Sequence, residues 1–294
     1  TTEVSDGIGV RLNAYYKETK DLLNERLTDI ENTSNPLVTQ MAVMQNLDFG
    51  FVRGIDLSIN TRRVNNLQTS ATFSFQTAQA TGSTDRGNSR ISWLNGELPR
   101  SINPVNTDQP FTGNINLDYR FANDGPLEIL NNFGANFLTT FYTGRPFTKY
   151  AETVSNPFTA QTSIPVESVI NGARAPFVFR ADLRLDKTFR LMDDKLGVNV
   201  YLDIRNIFNI KNEINVYQGS GRADRSGWLG TDEGKSWLSG QISSNAIRTN
   251  PYPYPLSPVT GKAFTAQEAA EFYENNPTGY GLPRQITAGI RIDF

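Results

Sequence analysis

Four charged residues alternate in sign on two neighbouring stretches of the chain, Asp182 with Arg184 and Asp203 with Arg205. At this spacing carboxylates and guanidiniums can pair across two adjacent strands; without a nucleophile or an imidazole beside them they have no catalytic partner. The 294 residues include no His and no Cys, which removes the Ser-His-Asp triad, thiolate chemistry and the ordinary zinc site. Asp232 with Glu233, and Asp85 with Glu97, offer oxygens to a hard cation, but acids in polar connections are ordinarily just solvated. No metal site, no cofactor and no catalytic residue is therefore expected, and the chain reads as not an enzyme. Trp228, Trp237, Tyr252 and Tyr254 are the remaining candidates, suited to touching a ligand or a partner protein, or to packing on one another. With 28 Lys and Arg against 30 Asp and Glu there is no basic excess for phosphates, so nucleic acid is not an expected partner.

The elements that must carry these residues follow from a period of two. In Gln285 to Phe294 one face holds Ile286, Ala288, Ile290, Ile292 and Phe294, and the other Gln285, Thr287, Gly289, Arg291 and Asp293. Phe177 to Asp186 and Val198 to Arg205 alternate in the same way, which places Asp182, Arg184, Asp203 and Arg205 on the polar face. Upstream, Ile115 to Phe121, Phe133 to Tyr142, Ala71 to Phe75, Ile55 to Asn60 and Ile8 to Lys17 continue the pattern, giving about eight strands. No apolar run approaches the ~18 residues of a membrane-spanning helix. The outward apolar positions named here contain no Lys or Arg.

Alternation alone fits a soluble β-sandwich as well as a membrane barrel. The connections favour the barrel: joins near 62–66 and 193–194 are tight, that over 122–132 is modest, and those near 25–47, 81–109, 148–175 and 218–282 are long. Short and long joins alternate, as when one rim carries turns and the other projects loops. Phe121, Phe133, Phe189 and Phe294 fall toward the tight-turn rim, and Phe111, Phe141, Phe177 and Phe179 toward the other, as two aromatic girdles would. The expected fold is thus all-β, one antiparallel transmembrane barrel segment over residues 1–294, with the C-terminus periplasmic and the long loops extracellular. The last loop is expected to hold a helix that begins at Thr265 and has Glu268 in its first turn. A two-residue turn at Asp193-Asp194 would set Arg184 opposite Asp203 and Asp182 opposite Arg205, as ion pairs on the inner wall.

Several stretches resemble a known family. Thr287, Gly289, Ile292 and Phe294 look like the closing-strand sorting signal that the barrel-assembly machinery reads. Arg180-Ala-Asp-Leu-Arg-Leu-Asp-Lys-Thr-Phe189, Leu196-Gly-Val-Asn-Val-Tyr-Leu-Asp-Ile-Arg-Asn-Ile-Phe-Asn209 and Gly144-Arg-Pro-Phe147 closely resemble the end of TonB-dependent outer-membrane receptors, in the style of their Oar-like branch. Gly54 to Ile59 and Ala80-Thr-Gly82 fit the same family. The resemblance implies a 22-stranded barrel of which this is the final third, in the bacterial outer membrane. It also implies partners: outer-membrane lipid, an N-terminal plug with the remaining strands, and TonB reached through the plug. Neither a plug nor a TonB-binding segment precedes Thr1, so a fragment or a split receptor is expected.

Three functions compete at this point. One is the wall and loops of a transporter for a scarce ligand such as an iron chelate, cobalamin, glycan or peptide. Another is a barrel whose loops bind a surface lipoprotein, matrix or other subunit without transport. The third is a small stand-alone eight-stranded barrel, against which the small inward residues Gly9, Ser58, Ser70, Ser74 and Gly134 argue.

Overall fold

The computed structural model describes residues 2–5, 7–29, 40–82, 101–122, 128–151, 170–192, 196–243, 268, 271, 274 and 277–293. The strands are β1 (Thr2–Ser5), β2 (Ile8–Asp29), β3 (Gln40–Thr61), β4 (Leu67–Ala80), β5 (Asn103–Pro104), β6 (Phe111–Arg120), β7 (Phe133–Tyr142), β8 (Pro146–Phe147), β9 (Ala173–Arg174), β10 (Val178–Leu191), β11 (Leu196–Arg205) and β12 (Gln285–Asp293). Helix α1 runs over Asp232–Ser243. The chain divides into two compact units: Thr1–Thr143 with Phe177–Lys211 and Leu282–Phe294, and Gly144–Pro176 with Asn212–Gly281.

The first unit is a single antiparallel sheet in the order β1-β2-β3-β4-β6-β7-β10-β11-β12, with the short β5 on β4. Its registers align the apolar faces across the strands. Leu117 faces Phe137, which faces Leu183, which faces Ile204, which faces Ile286. The adjacent polar row runs Asp118, Asn136, Arg184, Asp203, Thr287. The apolar face is bare: Leu12 is 68% exposed, Ile290 67% and Phe75 55%, whereas the buried apolar residues on the strands of this sheet are small, Ala71, Ala78, Ala80, Val178 and Ala181. A sandwich would bury its large side chains and leave the small ones indifferent; here the bulk points outward, as a sheet does whose apolar face meets hydrocarbon.

Aromatic rings bound this face. Phe75, Phe111, Phe141 and Phe177 form a ladder with successive centroids 4.8, 5.5 and 6.4 Å apart, and Tyr119 meets Phe121 edge-on at 5.1 Å. From Phe111 to Phe121, strand rise and a tilt of about 40° give a band about 26 Å tall, the hydrocarbon thickness that outer-membrane barrels match.

Two cations lie in line with the apolar face, beyond the outward positions named from the sequence. Lys187 lies in line with Leu183 and Leu185 and opposite Val200 and Phe133, but its Nζ donates to the Asn131 carbonyl and lies 5.5 Å from the Phe189 ring centroid. The alkyl stem stays on the apolar face while the ammonium reaches the turn. Arg53, in line with Ile55 and Leu57, holds its guanidinium 5.9 Å from the centroid of Phe51, whose ring stacks on Tyr16 at 6.2 Å. Both cations mark the edges of the band.

The loop expected over 25–47 is also corrected, because β2 continues to Asp29 and β3 begins at Gln40. Register shifts between Thr19, Leu22 and Leu23, with Asp21 at φ 59°, form a bulge that slips the side-chain phase, so the outer halves of these strands do not read as alternating. The long joins also carry structure of their own: β5 lies within 81–109, β9 within 148–175 and α1 within 218–282. Glu268, Glu271 and Glu274 are helical, while Thr265 lies outside the described residues, as do Asp193 and Asp194.

The tight turn between β3 and β4 is a type I′ hairpin. Val64 and Leu67 exchange both backbone hydrogen bonds at 3.0 Å, and Asn65 and Asn66 take φ of 50° and 70°. Asn tolerates this left-handed backbone and a β-branched residue does not. Replacing Asn65 with Val should destabilise the sheet by about 1–2 kcal/mol, and Asn66→Gly should be neutral or stabilising, measured by denaturant unfolding in detergent.

Candidate functional site

On the polar face of the sheet, charge gathers around β6, β7 and β10. Asp118 forms an ion pair with Arg63, bonds Arg120 Nε at 3.1 Å and accepts from Asn136 Nδ2 at 3.4 Å; Arg120 reaches on to Asp186 at 3.2 Å. Sequence reading missed this network because β6 and β10 meet only through β7, with β8 and β9 between in the chain. A Gly at 134 completes it, since a side chain there would run into Arg120 Nη1 and Asp186 Oδ1, each 2.7 Å from where its Cβ would sit.

The expected ion pairs of the inner wall are corrected in detail. Arg184 does stand opposite Asp203. Its guanidinium, however, lies over the Tyr201 ring, 4.7 Å from the centroid. Asp182 pairs with Arg180 on its own strand at 3.1 Å, and its Oδ1 accepts from the Asn206 backbone N–H at 2.8 Å. Asp182 thus serves the end of β11 and leaves Arg205 out. Asn206, 2% exposed with φ 52°, donates from Nδ2 to the Ile210 and Leu282 carbonyls at 3.0 and 3.1 Å; Asn209 Oδ1 accepts from the Arg284 N–H at 3.0 Å. These two asparagines fasten the approach to β12 onto the end of β11. Their sequence signal is an Asn at each end of Asn206-Ile-Phe-Asn209, directly after a strand, where the αL backbone suits Asn.

In the closing strand, Thr287 faces Asp203, Gly289 faces Tyr201 and Ile292 faces Val198; Phe294 lies outside the described residues.

A separate polar cluster supports the outer halves of β2 and β3. Asn24, fully buried, donates to Asp48 at 2.7 Å, and Thr81 Oγ1 donates to the other Asp48 oxygen at 2.8 Å. A cavity of about 350 Å³ lined by Glu18, Lys20, Asp21, Asn46, Leu47, Asp48 and Phe49 lies beside it, and Lys20 pairs with Glu18 at 3.2 Å. Among the described residues no group of three or more acids is placed to hold a metal ion. Asp232 and Glu233 open α1, where carboxylates favour the helix N-terminus; Asp85 and Glu97 lie outside the described residues.

The second unit joins what sequence reading separated as two loops. Tyr150 N–H donates to the Gln218 carbonyl at 3.0 Å, β8 pairs with β9, and Phe147 of the Gly-Arg-Pro-Phe stretch packs against Gly221, which sits at φ 72°. At its centre Glu213, 8% exposed, takes Arg222 at 2.8 Å on Oε1 and the Ala223 N–H at 2.6 Å on Oε2. Glu274 binds Ser226 through its N–H and Oγ at 2.8 and 2.7 Å. Burial, and then Glu274, push the Tyr217 hydroxyl above its ordinary pKa, and burial followed by Asp224 and Glu213 does the same to Tyr280.

Trp228, expected as a candidate ligand contact, is 5% exposed and packs edge-on against Trp237 at 5.6 Å. The contact ties Trp228 to Trp237 of α1, whose start is capped by Thr231 accepting from Gly234 N–H at 3.1 Å. Of the two roles expected for Trp228, ligand contact or packing on its neighbours, the structure shows packing; Trp237 is half-buried beside it, and Tyr252 and Tyr254 lie outside the described residues.

No protein-family model matches the sequence, and no curated protein matches it. Among solved structures the chain is similar to the outer membrane transporter YddB from Escherichia coli, at 12% identity and a TM-score of 0.50, covering 74% of this chain and 29% of that one. It is also similar to FpvA from Pseudomonas aeruginosa, solved with a bound heterologous pyoverdine, at 14% identity and a TM-score of 0.42 over 73% of this chain and 22% of that one. The FrpB iron transporter from Neisseria meningitidis follows at 14% identity and a TM-score of 0.41, over 71% and 26%. The likeness to YddB shows the fold alone, an antiparallel sheet of the kind that builds an outer-membrane β-barrel, and the chain spans 29% of that protein's length.

Proposed function

We propose that this chain is the barrel wall and outer segments of a TonB-dependent outer-membrane transporter for a scarce ligand, an iron chelate, cobalamin, glycan or peptide. The observation that carries the reading is a sheet with one continuous bare apolar face of membrane height and one charged, hydrogen-bonded face. The fold of YddB and the stretches Arg180 to Asn209 and Gly144 to Phe147 support it. In this reading the polar face, with Arg63, Asp118, Arg120, Asp186 and Arg184, lines the lumen and meets a plug, and TonB pulls on that plug. The ends of the strands at Asn65-Asn66 face the periplasm with the C-terminus, and the second unit is extracellular. The chain takes part in uptake and performs no catalytic step.

A second reading draws on the outer halves of β2 and β3, where Leu23 and Met41 are each 55% exposed and Met44 41%. Apolar side chains beyond the aromatic boundary suit a barrel that docks a partner protein without transport.

Deleting the gene should abolish growth on one limiting nutrient when a panel of iron chelates, cobalamin, glycans and peptides is supplied in turn, and loss of TonB should have the same effect. Unchanged growth on every nutrient, with loss of binding to a surface protein, would favour the second reading and overturn the first.

A further inference from the structure

Three glycines of the sheet stand directly opposite aromatic residues: Gly54 opposite Tyr15, Gly113 opposite Phe141 and Gly289 opposite Tyr201. In each pair the ring lies over the glycine and fills the place of its missing side chain. A Cβ at Gly54 would sit 2.6 Å from Tyr15 Oη, one at Gly113 2.6 Å from Phe141 Cζ, and one at Gly289 2.5 Å from Tyr201 Cζ.

The three sockets differ in what else surrounds them. At Gly54 the Phe75 carbonyl oxygen also lies 2.7 Å from the added carbon, so backbone blocks the site whatever happens to the ring. At Gly289 the three nearest atoms all belong to the Tyr201 side chain. That ring is not free to swing aside, because the Arg184 guanidinium lies over it with Cζ 4.7 Å from the centroid. Arg184 on β10, Tyr201 on β11 and Gly289 on β12 therefore form one stack across three strands.

We propose that Gly289 acts as the socket of a register lock: Tyr201, pressed by Arg184, seats on Gly289 and fixes the pairing of the closing strand β12 against β11. A slip of β12 by two residues, which keeps its faces correct, would bring Thr287 or Arg291 under the ring and remove the socket. The alternation of side chains cannot distinguish such a slip, whereas the lock can. Gly289 is then required because of the ring opposite, and its place in the closing-strand pattern follows from this packing. Tyr201 and Arg184 are positioning residues for β12.

The test is a double substitution made in cells that produce the full-length protein, read by the heat-modifiable gel mobility of the folded barrel and by disulfide trapping between cysteines placed at Asn199 and Arg291, which face each other. Gly289→Ala should lower the folded fraction by about tenfold, as overpacking by one carbon does, and weaken the trapped crosslink. Adding Tyr201→Ala should restore both to near the level of Tyr201→Ala alone. Tyr15→Ala should fail to restore Gly54→Ala, where backbone blocks the socket. Where Tyr201→Ala alone is milder than Gly289→Ala, a double variant that remains as defective as Gly289→Ala means that the glycine is required for something other than the ring, such as direct reading by the assembly machinery, and the proposal is overturned. Should Tyr201→Ala alone prove as defective as Gly289→Ala, the exchanged pair Y201G with G289Y decides: recovery of the folded fraction supports the lock, and absence of recovery overturns it.

Discussion

Leu12→Arg is expected to reduce the stability of the folded chain in lipid by about 2–4 kcal/mol, the depth-dependent penalty for a guanidinium at the middle of a barrel's lipid face. Leu12 lies midway along the apolar row Ile8, Val10, Leu12, Ala14 and Tyr16 and is 68% exposed. In water an exposed leucine exchanged for arginine changes stability by only about 0.5 kcal/mol in either direction, so a soluble protein of this shape would hardly notice the change. Asn13→Arg is the control, one residue along the same strand on the polar face, where the effect should be small. The natural cations show what the band tolerates. Lys187 and Arg53 lie on the apolar face only at its edges, one reaching a turn carbonyl and the other lying over an aromatic ring. Unfolding by denaturant from lipid vesicles would measure both variants. Equal stability of Leu12→Arg and Asn13→Arg would remove the membrane from the account of this sheet.

The face that this prediction uses was legible because each strand inside the band keeps its phase. Pairing β10 with β11 required only a short turn, and Arg184 opposite Asp203 follows from counting outward from it. What escaped lay where the count breaks. The bulge around Asp21 shifts phase within β2, so the alternation was read only to Lys17, and Glu25 to Asp29 fell in the expected loop although they continue the strand. The Asp118 network joins strands that are distant in sequence, and no local pattern carries such a pairing. Helix α1 was hidden by Gly234 and Gly240, which lower helix propensity; Gly234 is there because the Trp228 carbonyl lies against it. The functional candidates fared similarly. Trp228 has the residue type of a binding contact but also of a core, and only burial separates the two. Asp182 has the spacing for a partner on β11 and is taken instead by Arg180 and the Asn206 N–H.

Glu213→Ala is expected to unlatch the second unit while leaving the sheet folded. Glu213 is 8% exposed and accepts from both Arg222 and the Ala223 N–H, and Ala223 is 1% exposed, so that buried amide loses its acceptor when the carboxylate is removed. An orphaned buried donor costs about 1–3 kcal/mol, and a broken buried ion pair about 3–5 kcal/mol. Arg222 keeps 44% of its side chain in solvent and can rehydrate, which places the sum near the lower figures, about 2–3 kcal/mol. Glu213→Gln separates the two contributions, because its amide oxygen can still accept from Ala223 while the charge on Arg222 goes unanswered; it should lose about 1 kcal/mol. Hydrogen exchange read by peptide should show faster exchange over 212–226 and 277–281 in Glu213→Ala and little change in β6, β7 and β10. The two segments should loosen together, since Glu213 bridges to Tyr280 and the Ile214 and Asn215 N–H groups both donate to the Gly279 carbonyl. Loosening confined to 212–226 would mean that the carboxylate only orders its own turn. Joint loosening makes it the tie between two stretches more than fifty residues apart in sequence, held together by a single carboxylate.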